Sequence, residues 1–165
     1  MLLQLSDWQF DINLPLTMDI SAAQAAEHCS CGYCRNYYMS LDNAYPSIRP
    51  FLQRFGIDIE GPDELCPYEP TIYEATYIIQ GHILQKGSNN LVIDNIPLRF
   101  YAPDEMDLHT EHPHPYFMLN IGLMELPWSL TEPMDQVISP ANEIEFLERM
   151  QQKLLVRFND DLISS

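Results

Sequence analysis

Lysine and arginine are scarce. Eight of them among 165 residues, against 24 Asp and Glu, leave a formal charge of −16, shared evenly by the two halves of the chain. A surface this negative repels phosphate backbones, and no Lys or Arg cluster is present to release counterions, so neither nucleic acid nor an anionic membrane is an expected ligand. Basic or apolar protein surfaces, or cations, are the expected partners. Met1 to Phe10 lacks a positive region, and Gln4, Ser6, Asp7 and Gln9 interrupt its apolar residues, which argues against a signal peptide. No uncharged apolar run approaches the roughly 20 residues of a membrane-spanning helix. The expectation is a soluble cytoplasmic protein. Repeats and low-complexity stretches are missing, as are a Gly-rich phosphate loop, H-E-x-x-H and Gly-x-Ser-x-Gly. Nucleotide hydrolysis, zinc proteolysis and α/β-hydrolase chemistry therefore lose their usual sequence support.

What is present is enough for a core. Hydrophobic residues make up 46% of the chain, with nine Tyr, seven Phe and two Trp, so disorder is excluded and one compact domain over 1–165 is expected. Leu5, Trp8, Phe10, Ile12 and Leu14 alternate roughly and read as a first strand. Ser21 with Gln24 fits a capping box ahead of an Ala-rich helix at 22–28. A second helix is expected from Cys34 to Ala44. Ile48, Phe51, Leu52 and Phe55 then recur at helical spacing, with Gly56 placed as a left-handed cap.

The period changes to two in the middle of the chain. Tyr73, Ala75, Tyr77, Ile79 and Ile83 share one face of a strand, and the turn residues 86–90 lead to a second strand at 91–101, which predicts an antiparallel hairpin. Phe117, Leu119, Ile121 and Leu123 share a face of a further strand. Ser139 and Pro140 open a C-terminal helix with the stripe Ile144, Leu147, Met150, Leu154 and Phe158. The fold class is therefore α+β: an antiparallel meander sheet with helices, the C-terminal one included, packed on one face.

One cysteine cluster is the sharpest chemical signal: Cys29-Ser-Cys31-Gly-Tyr-Cys34, with His28 before it and a fourth thiol at Cys66. Zinc takes four soft ligands in a tetrahedron, and the two-residue spacing of Cys31 and Cys34 suits a turn that aims both sulfurs at one ion. Cys29 is the third candidate, and Cys66, ahead of His28, the fourth. In the form Cys29-x-Cys31-x-x-Cys34-x-Asn36, followed by Phe51-Leu52-x-x-Phe55-Gly56-Ile57-Asp58, the chain resembles small bacterial proteins without an assigned activity. That resemblance implies a compact bacterial domain and no particular chemistry. Cys31-Gly-Tyr-Cys34 also resembles the active-site motif of the thioredoxin-like family, which implies Cys31 as nucleophile and Cys34 as resolving thiol. The parallel βαβ setting of that family is missing. Ordinary buried thiols, packed beneath Tyr37 and Tyr38, are the third alternative.

His109, His112 and His114 lie in a loop with Asp104, Glu105, Asp107 and Glu111, which offers imidazole and carboxylate ligands for a divalent metal. The same composition describes a solvated, pH-sensitive connection. Two classes of function follow. One is a small acidic binding or interaction domain with a structural zinc at Cys29, Cys31, Cys34 and Cys66. The other is an enzyme, either a thiol oxidoreductase at Cys31 and Cys34 or a metal-dependent one at the histidine loop.

Overall fold

The structure is a computed structural model that describes residues 1–69, 71–106 and 111–134. The fold is α+β, with an antiparallel sheet of seven strands and three helices among the described residues. The expected C-terminal helix at 140–158 lies outside those residues. No described helix is long and apolar enough to cross a membrane.

The expected first strand is a hairpin. β1 (Leu2–Leu5) pairs with β2 (Trp8–Ile12), Leu5 facing Trp8, and Ser6 makes the turn at φ 54°. Trp8, Phe10 and Ile12 alternate inward, as the sequence pattern requires. Helix α1 (Leu14–Ala26) starts seven residues before the Ser21 capping box. Asn13 is its cap, accepting the Leu16 N–H at 3.2 Å, and Pro15 occupies the first turn, a stronger start than Ser21 offers. Ser21 lies buried in mid-helix, where its hydroxyl accepts the Asp58 N–H at 2.7 Å. Helix α2 (Gly32–Ala44) and the short α3 (Ile48–Gln53) follow, with Ile48, Phe51, Leu52 and Phe55 all buried. Gly56 ends that segment at φ +79°, where a Cβ would also press to 2.9 Å from Leu14 and Met18.

Strands β3 (Glu64–Glu69), β4 (Ile72–Gln85), β5 (Leu91–Ile93), β6 (Ile96–Tyr101) and β7 (Tyr116–Glu125) complete the sheet, in the order β1-β2-β4-β7-β6-β5 with β3 also on β4. The hairpin expected between 72–84 and 91–101 does not form. Both edges of β4 are occupied, one by β2 and β3 and the other by β7, so β6 pairs with the far edge of β7 and β5 lies outside it. The connection at 86–90 is instead tied to the first hairpin. Asp7 accepts from the Ser88 N–H and hydroxyl at 2.7 Å each, and the Trp8 indole donates to the Asn89 carbonyl at 2.9 Å.

The core lies between the sheet and the helices. Tyr73, Ala75, Tyr77 and Ile79 of β4 and Phe117, Leu119 and Ile121 of β7 pack with Tyr37 and Leu41 of α2 and with the α3 stripe. Leu123 leaves that pattern and is exposed: the β4–β7 register shifts between Tyr73 and Glu74, and Met124 takes the inward position opposite Tyr73. The other face of β4 is buried and polar. Glu74 accepts from the Asn120 amide at 2.6 Å and from the Tyr68 hydroxyl at 2.5 Å.

Candidate metal centre

Cys31 is the cap residue of α2, which places Cys34 one turn inside the helix and leaves Cys29 in the preceding loop. The Sγ atoms of Cys29, Cys31 and Cys34 all lie within 4.8 Å of one another. Cys29 and Cys31 are exposed and Cys34 is buried. The loop is held at both ends. Cys29 Sγ accepts the Cys31 N–H at 3.4 Å, and Arg35 donates to the Ser30 carbonyl at 3.1 Å while pairing with Glu132 at 2.8 Å. The next residue, fully buried Asn36, donates to the Tyr73 hydroxyl at 3.2 Å and the Pro127 carbonyl at 3.1 Å, and accepts the Ser129 N–H at 2.7 Å. Helix α2 is thereby fixed to β4 and to the segment after β7, and the cluster with it.

The two thiols of the C-x-x-C pair are unlike each other. A hydrogen bond from the Cys34 thiol holds the Cys31 thiol down at about 5, from an ordinary 9.0. The same hydrogen bond, then burial and the neighbouring Cys31 and Cys29 charges, push Cys34 up. The pair thus carries one proton, placed on the buried sulfur.

Cys66 is set apart from the three, on the opposite face of the sheet. It faces Glu74 across the β3–β4 ladder, while its neighbours Leu65 and Pro67 point the other way and line the cleft beside the cluster. Alternation along β3 leaves the sheet between Cys66 and the other sulfurs, so Cys66 cannot complete their shell without a change of register.

That cleft has a volume of about 490 Å³ and is walled by Gln24, Glu27, His28, the three clustered cysteines, Tyr33, Tyr38, Pro62, Asp63, Leu65 and Pro67. Among the described residues its wall holds no Lys or Arg. His28 Nδ1 faces a Glu60 carboxylate oxygen at 3.6 Å, and its ring packs on Tyr38 at 4.8 Å. Asp63 Oδ1 meets His112 Nε2 at 2.8 Å and accepts from the Gln24 amide at 3.0 Å. Burial pushes the Asp63 carboxyl up, and the His112 ring opposes that shift. Nothing local in the sequence announces this pair, since 49 residues separate its members.

Of the expected histidine-loop metal site, only His112 and His114 are among the described residues. His112 turns inward to Asp63, His114 packs on Tyr116 at 4.9 Å, and neither joins a group of three metal-ligating side chains. His109 lies outside the described residues. Soft-metal coordination by the three sulfurs is accordingly the chemistry that this arrangement supports most directly. No protein family, curated protein or solved structure matches this chain.

Proposed function

We propose that the chain is an acidic binding domain whose chemistry lies in a metal site, zinc foremost, made by Cys29, Cys31 and Cys34. The mutual approach of the three sulfurs within 4.8 Å carries this reading. Bonds of about 2.3 Å to one tetrahedral zinc would bring them to about 3.8 Å from each other, which side-chain rotation in the exposed loop supplies. The described wall, with Glu27 and Asp63 and without Lys or Arg, favours the entry of a cation. The metal would fasten the loop before α2, and the −16 surface would select basic partners.

The test is elemental analysis of protein purified without chelator in the presence of zinc. One zinc per chain is expected, with the three clustered thiols masked from a thiol reagent. Cys34→Ser is expected to lose the metal. Metal-free protein in which all four thiols react at once would reject the reading. A second reading, thiol–disulfide exchange at Cys31 and Cys34, is favoured by the geometry of the pair, with Cys31 at the cap position of α2 and its sulfur within 4.8 Å of that of Cys34. Its signature is a Cys31–Cys34 disulfide that forms reversibly while the zinc content of the reduced protein is zero.

A further inference from the structure

Three sulfurs do not fill zinc's coordination, and a fourth donor must come from somewhere. Cys66 is behind the sheet. His28 is turned with Nδ1 toward Glu60 and its ring against Tyr38, and Asp63 is engaged through Oδ1 by His112 and Gln24. Among the described residues, no His, Cys, Asp or Glu joins Cys29, Cys31 and Cys34 in one group. The cleft adjoins those sulfurs and is open to solvent, so it supplies both the space and the route for an outside ligand.

We propose that the metal keeps its fourth position open to this cleft and takes a small thiol there, cationic in preference to anionic. The inference rests on the metal reading given above. Structural zinc sites are closed by four protein ligands, whereas three protein ligands with a vacant corner define a site that exchanges water for substrate. A donor set of three sulfurs suits a soft fourth partner. Glu27 and Asp63 stand in the wall, with His112 already paired to Asp63 and no Lys or Arg among the described lining residues, and these carboxylates set the sign of the charge that is admitted. Tyr33, Pro62, Leu65 and Pro67 supply apolar contact for a short alkyl stem. Binding breaks the ligand's S–H bond, passes its proton to solvent, forms one metal–sulfur bond and releases one water. No electron is transferred.

The experiment loads the reduced protein with cobalt(II) under anaerobic conditions and titrates it with cysteamine and, separately, with mercaptoacetate. Sulfur-to-cobalt charge-transfer absorbance should rise by about one third as a fourth sulfur joins three. Cysteamine should half-saturate the change at a concentration at least about threefold lower than mercaptoacetate does, and the gap should narrow in high salt. A spectrum of four sulfurs before any thiol is added, or one that neither thiol changes, would overturn the open position while leaving the metal site standing. So would a change of the thiol-free cobalt spectrum in His28→Gln, which would place that ring on the metal. Equal half-saturation by the two thiols would reject the charge preference. Failure to take up cobalt or zinc at all would reject the metal reading itself.

Discussion

Cys31 and Cys34 differ by one proton and by their depth. Cys31, exposed and holding the cap position of α2, is kept as thiolate down to about pH 5, whereas Cys34 keeps its proton over the same range. The rate at which iodoacetamide alkylates Cys31 in chelator-treated protein should therefore be flat above about pH 6 and fall as pH drops through about 5. Because a thiol hydrogen bond is the main cause, Cys34→Ala should move that midpoint upward toward the ordinary 9.0. Peptide mapping of alkylated protein across pH checks both. At Cys66 the expectation is the opposite of the one drawn from sequence alone: Cys66→Ser should leave zinc stoichiometry unchanged, because the residue faces Glu74 on the other side of the sheet.

At the scale of elements, the α3 stripe and the β7 register make separable predictions. Leu52 is fully buried, and Leu52→Ala should cost about 2–5 kcal/mol in urea unfolding. Leu119→Ala should cost a similar amount, but Leu123→Ala should stay within about 0.5 kcal/mol, because the register shift exposes Leu123. Equal costs at 119 and 123 would contradict the shift. The stripe Ile48, Phe51, Leu52 and Phe55, the cap at Gly56, the inward face of β4 and that of β7 as far as Ile121 were legible in the sequence as local patterns, whereas the register shift that turns Leu123 outward was not. Strand β3 was hidden by Pro67 and by its lack of alternation, and the start of α1 was misplaced because Ser21 imitates a cap. The strand order was not legible at all. It depends on which partners fill the two edges of β4, and neighbouring residues carry no record of that.

Over the whole molecule, the charge and the cleft act together. With −16 and no basic patch, the protein should not retard duplex DNA at micromolar concentration and physiological salt, and a salt-sensitive shift in electrophoresis would contradict this. The cysteine cluster itself stood out in the sequence by density, and its three sulfurs do converge. Its surroundings did not stand out: the Asp63–His112 pair and the Leu65–Pro67 wall are brought beside it by the packing of β3 and of the segment before β7. The most direct test of the three-sulfur site is zinc K-edge X-ray absorption on protein loaded with one equivalent of zinc and freed of added thiols. The expected shell is three sulfurs at about 2.3 Å and one oxygen or nitrogen at about 2.0–2.1 Å. A shell of light atoms alone, or failure to retain zinc, would contradict it.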